Sequence, residues 1–286
     1  MGSTILVNSY NFPPPAPTAY NDPLDWTLIQ SWETGSGDMV AIDAAFNGLS
    51  GFTGGVIWSL DGTVITLAST GEDRIRSFSC STPWDPDTAT LIATRTVTNA
   101  IHLFASADGT LIIYERSTDT MVGVAVTNFT INGSAETGAM NKAASGHSGS
   151  VDRSFYPIDD LSYMYVDGPG LTRIRQVDFT GGAGDFDNPI LGQESTINWT
   201  QNGSVGGSKI SKDGTRIYRG AGTAGVEILE MSTPFDLSTI TSIGTFDNDA
   251  EVGFSVDTVW VNPEDTTEVW VVGTSGLQLA RMATNA

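Results

Sequence analysis

Carboxylates are the side chains of this sequence with the widest chemical scope, at 33 Asp and Glu against 13 Lys and Arg. Asp43, Asp152, Asp247, Asp249 and Glu251 fall near the starts of apolar runs that read as inner strands. Two of them ~5–9.5 Å apart, one with a raised pKa, would suit glycoside hydrolysis. In so acidic a chain, however, several acids on any one face are expected by chance, and no catalytic residue is assigned. Asp247-Asn248-Asp249 with Glu251 offers oxygen ligands for Ca²⁺ but lacks the spacing of a dedicated calcium loop, so it reads as a polar turn. His102, between Ile101 and Leu103, reads as a core or channel histidine. Asn141, Lys142 and His147 lie in a Gly/Ser-rich stretch and are candidate contact residues. Trp58, Trp84, Trp199, Trp260 and Trp270 could stack on sugars, but their strand positions favour packing between sheets. Cys80 is the only cysteine and reads as a small buried hydrophobe, which rules out a disulfide framework and a multi-cysteine zinc site. No cofactor and no metal are implied.

The elements that must position these residues follow from composition. With 286 residues, 32 of them Gly and only 16% charged, the chain favours many short strands and turns over long helices. A net charge of −20 disfavours binding to a nucleic-acid backbone or an anionic membrane. The opening residues lack a basic region, and no stretch approaches the ~20 apolar residues of a membrane span, so a cytosolic product without a signal peptide is expected.

Internal repetition sets the architecture. Ser-x-Asp-Gly-Thr occurs at Ser59–Thr63, Ser106–Thr110 and Ser211–Thr215, each time between apolar runs. Asp61-Gly62, Asp108-Gly109 and Asp213-Gly214 are hairpin signals, because glycine accepts the positive φ of a tight turn. Degenerate copies surround Asp160 and Asp265, so successive turns lie 47 to 53 residues apart. A second marker, Ser-Thr-Pro-aromatic-Asp, supplies Pro83, Trp84 and Asp85 and again Pro234, Phe235 and Asp236. It falls between a third, alternating strand and a fourth, where Pro and Asp redirect the chain.

Four antiparallel strands per unit is one propeller blade. The expected fold is therefore an all-β, five-bladed β-propeller of four-stranded blades. The last unit lacks a fourth strand, and residues near 26–32 are expected to supply it by pairing with 276–282. The expected domains are a proline-bearing arm at 1–23 and one propeller at 24–286, with an irregular Gly/Ser/Ala/Asn-rich insertion at 127–150 replacing the outer part of the second blade.

The paired markers, Ser-x-Asp-Gly-Thr followed by Ser81-Thr82-Pro83-Trp84-Asp85 and its second copy at Ser232, resemble repeats of virion proteins of tailed bacteriophages, marine ones especially. The opening Ile5-Leu6-Val7-Asn8-Ser9-Tyr10 is similar to the start of such proteins. The resemblance spans roughly residues 22–282. It implies a non-enzymatic structural or adhesion propeller on a tail, fibre or head surface, hence a virion location. Its implied partners are other virion proteins, met through the arm, and host surface glycan. A homo-oligomer is compatible with these features; nucleic acid and membrane insertion are not expected. The rival readings are a five-bladed propeller glycoside hydrolase and a stand-alone lectin.

Overall fold

A computed structural model describes residues 26–33, 36–46, 55–69, 71–98, 100–116, 120–133, 135–141, 155–157, 163–166, 174–179, 189–195, 208–222, 225–246, 253–262, 268–273 and 277–284. Strand β1 (Trp26–Glu33) and a short helix α1 (Val40–Ala45) precede the first sheet. That sheet holds β2 (Val56–Trp58), β3 (Val64–Ser69), β4 (Arg74–Cys80) and β5 (Ala89–Thr96). The second sheet holds β6 (Ala100–Ala105), β7 (Leu111–Arg116), β8 (Thr120–Ala125) and β9 (Glu136–Asn141). The third contains β10 (Phe155–Pro157), β11 (Tyr163–Val166), β12 (Arg175–Phe179) and β13 (Pro189–Glu194). The fourth contains β14 (Ser208–Ile210), β15 (Arg216–Gly220), β16 (Val226–Met231) and β17 (Ile240–Phe246). Finally β18 (Val256–Val261), β19 (Glu268–Gly273) and β20 (Gln278–Thr284) form a sheet with β1, in the order β1-β20-β19-β18. The chain is thus all-β with its sheets in a β-propeller arrangement. Among the described residues no helix is long and apolar enough to cross a membrane.

Every strand pairs antiparallel with its neighbour. The first strands of the sheets touch one another in turn: β2 meets β6, β6 meets β10, β10 meets β14, β14 meets β18, and β18 returns to β2. Strand β1 runs along β20 from Trp26 opposite Thr284 to Glu33 opposite Gln278. Two tryptophans on it serve different neighbours. Trp26 stacks on Phe246 of the fourth sheet at 4.9 Å, and Trp32 stacks on Trp270 at 5.2 Å. Trp270 in turn contacts Trp58 of the first sheet at 4.7 Å, while Trp84 lies 5.6 Å from Trp260. The tryptophans therefore pack between sheets; Trp199 lies outside the described residues. These aromatic contacts fill the seam with large apolar surface that also carries specific ring geometry.

A regularity that the sequence hides lies in the outermost pairing. In each sheet the outer strand carries one extra residue. Ile92 in β5, Thr137 in β9 and Ile243 in β17 have no counterpart across the ladder. In β13 the extra residue falls within Gly192-Gln193, and in β1 it is Ile29. Such bulges increase local twist and blunt an open sheet edge against pairing with another chain.

Two expectations need correction. Residues 127–150 were expected to form an irregular insertion, yet Thr127 and Thr130 bridge a tight turn and Glu136–Asn141 is the fourth strand of the second sheet. Composition misled here because edge-strand residues facing water need no apolar alternation; residues 142–150 lie outside the described set. Asp43 was expected near the start of an inner strand, but it sits on α1, in the connection between β1 and the first sheet.

Candidate functional site

The best-defined constellation is a turn lock repeated in three sheets. At Asp61, a single carboxylate oxygen accepts from Ser59 Oγ at 2.7 Å, from the Thr63 N–H at 3.0 Å and from Thr63 Oγ1 at 2.7 Å. Asp108 receives the same three donors from Ser106 and Thr110, and Asp213 from Ser211 and Thr215. Burial raises the Asp61 pKa, but the Ser59 and Thr63 donors outweigh it and hold the carboxyl below its ordinary value. At Asp108 the Ser106 hydroxyl is the largest influence, followed by Thr110, and the net direction is again downward. Asp213 is lowered too, with burial opposed by Ser211, Thr215 and the charge of Arg216. These are turn-stabilising aspartates, held charged by donors, and the opposite of a general acid with a raised pKa.

Each turn glycine is capped by an aromatic ring. Gly62, Gly109 and Gly214 have φ of 69°, 66° and 69°. Trp84, Phe129 and Phe235 lie over them, themselves at φ of 63°, 58° and 60°. The aromatic N–H donates to the glycine carbonyl in every case, at 2.9, 3.1 and 2.9 Å. A β-carbon on Gly62, Gly109 or Gly214 would lie within 2.4 Å of the ring. Glycine is therefore required twice, for backbone sign and for space. After Trp84 and Phe235, Asp85 and Asp236 cap short 3₁₀ turns by accepting from the N–H two residues on, at 3.1 and 2.9 Å. Pro83 and Pro234 precede the two aromatics as expected. Sequence reading missed Phe129, which no Ser-Thr-Pro marker flags. The available signal was spacing from the turn glycine: an aromatic follows Gly62, Gly109 and Gly214 after 22, 20 and 21 residues, at Trp84, Phe129 and Phe235.

The same turns reach the preceding sheet. Ile131 N–H donates to Ser77 Oγ at 2.8 Å, and Thr66 Oγ1 donates to the Phe129 carbonyl at 2.8 Å. Thr66 and Ser77 share a 2.6 Å bond, so with the Thr66 proton committed to Phe129 the Ser77 hydroxyl is the donor. In the fourth sheet, Leu237 N–H donates to Gln193 Oε1 of β13 at 3.1 Å. In the first, Trp84 packs on Trp260 and Trp270, and Asp87 accepts from Met39 N–H at 2.7 Å.

Two spaces are relevant to ligands. The one between the first strands of the sheets, lined in part by Val56, Leu103, Phe104, Lys209, Thr258 and Trp260, holds only ≈ 20 Å³. That is room for about one water molecule. A larger polar cleft of ≈ 220 Å³ lies where β1 ends against β20. Trp32, Glu33, Ser36, Asp38, Phe254 and Gln278 line it. Gln278 Nε2 donates to Glu33 Oε1 at 3.2 Å, and Ser36 Oγ donates to Asp38 Oδ2 at 2.7 Å.

The remaining candidates divide. His102 is buried on β6, and Cys80 is buried at the end of β4, its thiol pushed up to about 12 by burial and then by the charge of Asp85. Asn141 ends β9 opposite Thr120, while Lys142 and His147 lie outside the described residues. Asp152, Asp247, Asp249 and Glu251 lie outside them too. Among the described residues no three of His, Cys, Asp and Glu are grouped to hold a metal ion.

No protein-family model matches the chain, and no curated protein does. Among solved structures, it superposes on a luciferin-regenerating enzyme with a TM-score of 0.48 at 11% identity, covering 82% of this chain and 92% of that one. A functionally unknown protein from Desulfotomaculum acetoxidans DSM 771 gives 0.45 at 15% identity, covering 78% of this chain and 69% of that one.

Proposed function

We propose that this chain is a non-enzymatic scaffold of a bacteriophage particle. Its five sheets act as the five blades of one closed ring, and β1 completes the last blade. One observation carries the proposal: each described third-to-fourth strand turn both locks its own glycine hairpin and fastens its sheet to the preceding one. A part built this way holds its loops at fixed geometry, which suits presentation of contact surfaces. The cyclic contacts of the first strands, the shared outer-strand bulge and the two-sided packing of β1 support closure. The marker pair supports the virion reading. The 1–23 arm anchors the ring to neighbouring virion proteins, and the segment with Asn141, Lys142 and His147 contacts host surface glycan or another subunit.

Antibody against the purified chain, applied to intact particles under the electron microscope, is expected to decorate tail, fibre or head. Particles that stay bare while the chain accumulates free in lysates would remove the virion assignment. Closure has its own test. Deleting residues 1–33 exposes the β20 edge and is expected to convert the closed ring into aggregating material; an unchanged elution volume and unfolding curve would refute the latch.

A further inference from the structure

We propose that Asn132 is a site of self-modification: the backbone nitrogen of Gly133 displaces the Asn132 side-chain amide, assisted by Arg95, and leaves a carboxylate in the seam between the first and second sheets. The chemistry belongs to the chain alone and does not depend on the particle reading. Asn-Gly occurs at Asn47, Asn132 and Asn202, and of these pairs only Asn132-Gly133 lies within the described residues. Glycine has no β-carbon to bar the approach of its nitrogen to the asparagine Cγ. Gly133 is exposed, belongs to no strand, and has open space where a β-carbon would lie. Among the described residues no carbonyl accepts from its N–H, so solvent base can reach that proton.

A second observation lies on the same peptide group. The Asn132 carbonyl and the Gly133 N–H form one peptide unit, and Arg95 Nη1 donates to that carbonyl at 3.3 Å. When the N–H loses its proton, negative charge spreads onto the same oxygen, so a guanidinium there stabilises the nucleophile as it forms. The Arg95 guanidinium is held by Glu136, 3.7 Å away, on which Arg116 also converges at 3.0 Å. Two cations thus share one carboxylate, and a further negative charge beside them is favoured.

The atoms balance without a redox partner. Gly133 gives its amide proton to solvent base and its nitrogen bonds to Asn132 Cγ. The Cγ–Nδ2 bond breaks, and that nitrogen leaves, reprotonated, as ammonia. Water then opens the cyclic imide. Opening at Cγ restores the main chain with aspartate at position 132, whereas opening at the main-chain carbonyl routes the backbone through Cγ as isoaspartate. The preceding residue, Ile131, donates its N–H to Ser77 Oγ of the first sheet at 2.8 Å. Isoaspartate, with one more carbon in the backbone, therefore falls where the two sheets are fastened.

The test incubates the folded, full-length chain in mildly alkaline buffer and follows each Asn-Gly peptide by mass spectrometry and isoaspartyl methyltransferase labelling. Asn132 is expected to convert to a mixture of aspartate and isoaspartate. Arg95→Gln, checked for folding by circular dichroism, should slow that conversion ~3–10-fold. Asn47 and Asn202 in the same sample should keep their own rates. Arg95→Lys keeps a charge but not the fork and should slow Asn132 about twofold, which serves where Arg95→Gln does not fold. In urea, where Arg95 no longer faces the peptide group, wild type and variants should convert Asn132 at one rate. An Asn132 that keeps its amide in the folded chain while the unfolded chain converts would overturn the inference. So would a folded-state rate that neither Arg95 variant changes, or one that falls equally at all three Asn-Gly pairs.

Discussion

The turn around Trp84 and the turn around Phe129 reach one geometry from different sequences. In the first sheet, Pro83 precedes the aromatic, and a capped 3₁₀ turn follows at Pro86–Thr88. In the second, Asn128 and Phe129 both take positive φ, at 47° and 58°, and Thr127 bridges directly to Thr130. Proline fixes its own φ, whereas asparagine tolerates the left-handed region, so the two turns enter the lock by different routes. Both end with a ring on the turn glycine and an N–H on its carbonyl. The difference teaches that ring and glycine define the unit, while proline and the capping aspartate are local means to it.

The contrast can be broken most severely at the ring itself. Phe129 is 5% exposed. Phe129→Ala is therefore expected to cost about 3–4 kcal/mol in urea unfolding, as for other buried phenylalanines. A loss below ~1 kcal/mol would return this segment to an ordinary surface loop. Next come the glycines. Gly62→Ala and Gly109→Ala should each cost about 2–3 kcal/mol through the ring clash and the backbone sign. Combined with Phe129→Ala, Gly109→Ala should cost less than the two singles together, because the clash partner is gone; strict additivity would contradict the lock.

Acid sharpens what the two turns share. The folded pKa values of Asp61, Asp108 and Asp213 lie below the ordinary value of 3.8. Their contribution is thus complete above that value and is lost as pH falls through the depressed folded values. Thermal unfolding should steepen in pH dependence below about pH 4, and Asp108→Asn should flatten that limb. The capping aspartate separates the turns at a smaller scale. Asp85→Ala should cost ~1 kcal/mol, whereas Asn128→Gly should stay within ~0.5 kcal/mol, since Asn128 caps nothing and already sits where glycine is at ease.

Much of the fold was legible because hairpin chemistry is local. Asp-Gly-Thr needs only its own neighbours to close a turn, so the β2–β3 hairpin follows from the residues around Gly62, and Asp85 and Asp236 cap the turns that follow the two aromatics. The catalytic candidates fared differently: Asp43 read as an inner-strand acid because its neighbours are apolar, yet that run is the helix α1, which buries Ile42 and leaves Val40 and Ala44 exposed. The cleft was illegible for another reason. Glu33 and Gln278 stand 245 positions apart, and only strand pairing brings them to 3.2 Å.

The sequence by itself determined where the chain turns and how often, since a turn is decided by φ preferences and hydrogen bonds within a few residues. It did not contain, in readable form, the extra residue in every outer strand, the ring of Phe129 over Gly109, or the relay from Ile131 through Ser77 and Thr66. Those depend on which sheet stands next to which, a matter of packing between surfaces distant in the chain. The tertiary structure alone decided them, because an interlocked interior accepts only the register that fills its space and satisfies its buried polar groups.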